Sequence, residues 1–164
     1  MYKKCDRLDG ENLEWVRASA SLPLVSEVVK IDGMKLQDGG ISDLIPLKYF
    51  ESIGYDRNLV VLTRPRGYRK SPNRAMAWVR MKYKKSPQFV RAMERRHEMY
   101  NETLSYIEQE EAAGRLLVIA PEEELPVRRV EKDPEKLREA YELGRKATLA
   151  RMEEILRFLF LEEK

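Results

Sequence analysis

The chain has 164 residues, enough for a core of its own, with 43% hydrophobic and 36% charged residues, the latter above the roughly 25% usual in globular domains. A formal net charge of only +3, a single cysteine and no apolar run of membrane-spanning length argue against a disordered polyelectrolyte, an intrachain disulfide framework and a transmembrane helix. The charge is uneven. Residues 1–63 hold 8 basic and 10 acidic groups, residues 64–96 hold 12 and 1, and residues 97–164 hold 11 and 17. The first ten residues are charged and lack the apolar segment of a signal peptide. The expected location is the cytoplasm, either free or peripheral to a membrane. Cys5 stands in a polar stretch away from any Cys or His, so no metal role is expected for it.

Residues 11–19 read as a short helix with Leu13 and Val16 on one side. In "VVKIDGMKLQ", two short β-type runs flank Asp32-Gly33, a favoured pair for a two-residue hairpin turn. Asp38-Gly39-Gly40 follows the second run. Two glycines behind a carboxylate would let the backbone take positive φ and let another segment or ligand approach closely. Pro46 and Gly54 bracket a short helix over residues 47–53. "NLVVLT", residues 58–63, is a continuous apolar run expected to form a strand buried on both faces within a parallel sheet. After a basic loop, residues 73–84 form a predicted helix. Ser86-Pro87 and Gly114 bracket a long one over residues 87–113. "RLLVIAP" is a second buried-strand candidate, and Asp133-Pro134 starts a helix running towards Leu161, weakened or bent at Gly144. Strands interspersed with helices indicate an α/β class.

The basic stretch "RGYRKSPNRAMAWVRMKYKK" interleaves Arg69, Lys70, Arg74, Arg80, Lys82, Lys84 and Lys85 with Tyr68, Trp78 and Tyr83. One reading is attachment to an anionic membrane surface, where Trp and Tyr favour the interface. Another is an ordinary amphipathic helix with Trp78 and Met81 packed inward. Nucleic acid is not an expected partner, because the acidic region that follows limits any such surface. "PEEELP", residues 121–126, reads as a solvated loop rather than a metal site. On its own, Asp38 is either a turn residue bonded to its own backbone or a catalytic base.

Residues 17–70, "RASASLPLVSEVVKIDGMKLQDGGISDLIPLKYFESIGYDRNLVVLTRPRGYRK", resemble the second half of bacterial patatin-like phospholipases. The matching pieces are the Ala20-Ser21 segment with Pro23, the Asp-Gly-Gly turn, the "DLIP" continuation and the "VVLTRP" strand. "RRHEMYNETLSYIEQEEAAGRLLVIAP" and "EKDPEKLREAYELG" look like the C-terminal region of the same bacterial subgroup. The resemblance implies the C-terminal part of a three-layer α/β/α fold. Residues 1–66 would belong to the hydrolase core, and residues 67–164 would be a mainly helical region with one strand on that core. It implies hydrolysis of lipid or other acyl esters by a Ser–Asp dyad without a cofactor, with Asp38 as the base and Gly39 and Gly40 shaping its loop.

The family's nucleophile stands in a G-x-S-x-G elbow, and this chain has none. The nearest approach, Gly40-Ile41-Ser42-Asp43-Leu44, lacks the closing glycine. Ser19 and Ser21 read as helix-terminal hydroxyls bonded to backbone. His97, the only histidine, reads as a solvated or locally paired helix residue. The expectation is a chain inactive alone that needs a missing N-terminal half or self-associates through unpaired strand edges. The rival expectation is a non-enzymatic module binding a membrane or partner through residues 64–96.

Overall fold

Helix starts and stops follow residue chemistry in the computed structural model, which describes residues 1–7, 9–128 and 130–160. The class is mixed α/β, as expected. The elements in chain order are α1 (Gly10–Ser19), β1 (Val29–Ile31), β2 (Met34–Leu36), a 3-10 turn (Gly39–Ile41), α2 (Leu47–Ser52) and β3 (Asn58–Val61). They continue with α3 (Met76–Lys82), α4 (Pro87–Ala112), β4 (Leu116–Ile119), α5 (Pro134–Ala150) and α6 (Met152–Phe160). The chain divides into two units, residues 1–46 with 70–103, and residues 47–69 with 104–164.

In the first unit, β1 and β2 pair antiparallel with Ile31 opposite Met34. Asp32 and Gly33 close the hairpin with φ of +49° and +74°, the conformation in which a two-residue turn matches strand twist. Helix α1 packs on β1 and on the 3-10 turn, burying Trp15 and Ala18. A core cluster joins Ile41 of the 3-10 turn, Val79 of α3, Tyr83, and Met93 of α4, with Met76, Phe89, Val90 and Ala92 around it. Burial of Ile41 is worth about 1.5–3 kcal/mol and holds the segment that follows Asp38 in place.

In the second unit, β3 and β4 are parallel, with Asn58 opposite Leu116 and Val61 opposite Ile119. All four β4 residues are buried, but in β3 only Val60 is, and Val61 is 64% exposed. The expectation of a strand buried on both faces at residues 58–63 is therefore corrected. Among the described residues the sheet has two strands, so β3 has one neighbour. The other edge of β4 is closed by side chains. The Val118 N–H donates to Glu111 Oε1 (3.2 Å), and its carbonyl accepts from Arg66 Nη2 (3.2 Å) and from Arg151 Nη1. Charged groups placed this way block further strand pairing.

Asp133 caps α5, its carboxylate accepting the Glu135 N–H at 3.0 Å, with Pro134 in the first turn. The helix passes Gly144 without interruption and ends at Ala150, so the break falls at Arg151 rather than Gly144. The Thr148 hydroxyl donates to the Gly144 carbonyl at 2.9 Å, tying the glycine into the helix. The turn at Arg151 lets Ile155, Phe158 and Leu159 reach Leu117 and Ile119. The expected end at Leu161 lies outside the described residues. No helix among the described residues is long and apolar enough to cross a membrane.

Candidate functional site

Asp38 opens the 3-10 turn, and its carboxylate Oδ1 accepts the Gly40 N–H at 2.8 Å. Its own N–H donates to the Ser21 carbonyl at 2.9 Å, so the backbone is held on one side by the end of α1. The residue is half-buried. Among the described residues no second hydrogen bond reaches its carboxylate, which leaves Oδ2 with free acceptor capacity.

The two glycines are needed for a different reason from the one the sequence suggested. Neither is among the residues with positive φ, so the expected backbone freedom is not used. Close approach is used. A Cβ at position 40 would lie 2.9 Å from Asp38 Oδ1, and a Cβ at position 39 would lie 3.1 Å from Ser19 Oγ. Gly40 is thus the residue that lets the carboxylate sit where it does. Arg96 on α4 donates from Nε to the Gly40 carbonyl at 2.7 Å, tying the turn to that helix.

The segment beside this turn is strained and apolar. Leu24 has φ +69°, a conformation that costs a non-glycine residue about 1 kcal/mol or more. Its N–H donates to the Tyr83 hydroxyl at 3.4 Å. Leu24, Val25 and Val28 are all exposed. Gln37, directly before Asp38, has both amide atoms buried without a hydrogen-bond partner.

The alternative nucleophiles and bases take structural roles. The Ser21 hydroxyl is buried and donates to the Arg17 carbonyl at 2.7 Å, as expected for a helix-terminal serine. Ser42 is exposed and donates to the Gly39 carbonyl at 3.2 Å. The His97 ring meets the Glu94 carbonyl through Nδ1 at 2.9 Å. A carbonyl only accepts, so Nδ1 carries the proton, which is the local pairing expected. Among the described residues no group of three His, Cys, Asp or Glu side chains converges as a metal site.

The basic residues are not one uniform surface. Arg69 is paired with Glu108 at 2.8 Å. Lys70 has its peptide bracketed by the Asn101 amide at 2.7 and 3.0 Å, with its ammonium 5.3 Å from the Tyr100 ring centre. Arg80 is paired with Glu94 at 2.7 Å. Arg74, Lys82, Lys84 and Lys85 are exposed, and Lys82 lies 5.8 Å from the Tyr83 ring centre. Trp78 and Met81 do not pack inward, being 65% and 60% exposed. Val79, Tyr83 and Met76 fill the inward positions instead.

In the second unit, Arg66 Nη2 donates to Glu111 Oε1 at 2.7 Å. This bond, the charge of Arg66 and the Val118 N–H hold the Glu111 carboxyl below the ordinary carboxylate range against the opposing effect of burial. Neither this pair nor the Arg96 contact to the Asp38 turn is legible in the sequence, because the partners are brought together only by tertiary packing.

Residues 86–160 match a family described as a domain of unknown function (DUF6363). That stretch carries α4, β4, α5 and α6, while the Asp38 turn and α3 precede it. No curated protein and no solved structure matches the chain.

Proposed function

We propose that this chain is the base-carrying portion of a patatin-like acyl-ester hydrolase of three-layer α/β/α type, with Asp38 as the proton acceptor of a Ser–Asp dyad. The observation that carries the reading is the Asp38–Gly40 geometry. The carboxylate is fixed by one N–H at 2.8 Å, and any side chain at position 40 would displace it. That N–H bond by itself is the one a capping turn residue makes to its own backbone; what supports the base reading is the second carboxylate oxygen, which no hydrogen bond occupies among the described residues. One oxygen is thereby oriented and the other left to accept a proton, which is what a general base requires.

A serine hydroxyl becomes an effective nucleophile when a base within hydrogen-bond reach takes its proton as the oxygen attacks the acyl carbon. Asp38 would take that proton and return it to the leaving alkoxide. Water would then release the acyl group by the same proton transfer. The serine comes from a G-x-S-x-G segment that this chain does not contain. The exposed Leu24, Val25 and Val28 beside the turn offer apolar area to that segment or to an acyl chain.

The test is complementation. The chain is mixed with a separately produced patatin-type segment bearing the serine elbow, and nitrophenyl ester hydrolysis is followed. The mixture should hydrolyse the ester, and Asp38→Asn should remove the activity. Hydrolysis that survives Asp38→Asn, or an assembled complex with no hydrolysis, would overturn the assignment.

A further inference from the structure

We infer that the outward face of α3 is an interfacial docking surface for anionic lipid bilayers. This stands apart from the Asp38 reading and does not depend on it. Helix α3 turns Met76, Val79 and Tyr83 to the core, with Val79 wholly buried. Those positions are three and four apart, so at 100° per residue the opposite face carries Trp78 and Met81, with Lys82 on its flank. Trp78 and Met81 are 65% and 60% exposed there.

The flanks are cationic. Arg74 precedes the helix, and Lys84 and Lys85 follow it, all exposed. Residues 64–96 hold a single acidic residue, Glu94, and it is engaged by Arg80 at 2.7 Å. No other carboxylate in this part of the sequence offsets the remaining lysines. An indole beside a thioether within such a rim matches the boundary between headgroups and acyl chains. Tryptophan settles at that boundary, methionine inserts as an adaptable apolar group, and the lysines meet lipid phosphates. A nucleic acid would use the charge and the indole but would leave Met81 without an apolar counterpart.

The experiment uses the full chain with vesicles of phosphatidylcholine alone and of equal parts phosphatidylcholine and phosphatidylglycerol. The chain has two tryptophans, Trp78 and the buried Trp15. Emission should shift to the blue on the mixed vesicles, be quenched by brominated lipid, and show neither change in Trp78→Phe. The retained Trp15 emission reports that this variant is folded. Replacing Lys82, Lys84 and Lys85 with glutamine should lower partitioning about five-fold per charge, about a hundred-fold together. Added salt should weaken binding. Equal partitioning onto both vesicle types would overturn the proposal. So would unaltered binding by the triple variant, or a Trp78 signal that responds to a single-stranded oligonucleotide and not to vesicles.

Discussion

Replacing Gly40 with alanine tests whether that glycine exists to accommodate the Asp38 carboxylate. The position has no positive φ, so alanine is conformationally allowed. On chain entropy alone the substitution should stabilise by about 0.4–1 kcal/mol. The structure opposes this. The new Cβ would lie 2.9 Å from Asp38 Oδ1, 3.6 Å from Arg96 Nη2 and 3.9 Å from Leu44 Cγ. Only the first contact is prohibitive, and relieving it moves the oxygen off the Gly40 N–H. A hydrogen bond to a charged group contributes about 1.5–3 kcal/mol, and half-exposure of Asp38 places this one at the lower end. The expected net loss is about 1 kcal/mol, read from urea unfolding followed by tryptophan fluorescence. In an Asp38→Ala background the clash is gone, and Gly40→Ala should become neutral or stabilising, a coupling of about 1–2 kcal/mol in the double-mutant cycle. An identical cost in both backgrounds would show that Gly40 does not serve to clear the Asp38 carboxylate. Gly39→Ala is the control. Its Cβ meets only the Ser19 hydroxyl at 3.1 Å, which a χ1 rotation relieves, so its cost should stay within about 0.5 kcal/mol.

Gln37→Leu removes two buried amide atoms that lack partners and should stabilise the chain by about 1–2 kcal/mol in the same unfolding assay. A loss of stability would show that the amide is satisfied. For Glu111 the folded carboxyl titrates below its ordinary value of 4.5, chiefly because of the Arg66 hydrogen bond. A depressed carboxylate contributes stability above its unfolded value and loses it as pH falls through the folded value. The urea midpoint should therefore drop as pH falls below 4.5, and Glu111→Gln should flatten that part of the curve. An unchanged pH dependence in the variant would contradict the pairing.

Local chemistry makes several elements legible in the sequence alone. Asp32-Gly33 fixed the hairpin, and Pro87 and Pro134 marked helix starts that formed at those residues. What remained hidden depended on neighbours. The apolar run at β3 read as doubly buried because a periodicity cannot reveal how many strands flank it. Residues 76–83 include Met, Ala, Trp, Val and Tyr on several sides, so the pattern did not choose which of them faced inward. Arg151 ends α5 without a proline or glycine to signal it, and the turn is fixed by α6 packing onto β4. At the candidate site the carboxylate and its glycines were visible in sequence. The role of Gly40 was not, because the clearance it provides is measured against a side-chain oxygen in space.

Whether Asp38 acts as the base is read from the rate at which a fluorophosphonate probe labels the elbow serine in the assembled complex. With Asp38 in place the serine should label rapidly, and Asp38→Asn should slow labelling by about a hundred-fold or more while leaving assembly intact. Labelling at the same rate in both complexes would show that the position-38 carboxylate does not serve as the base.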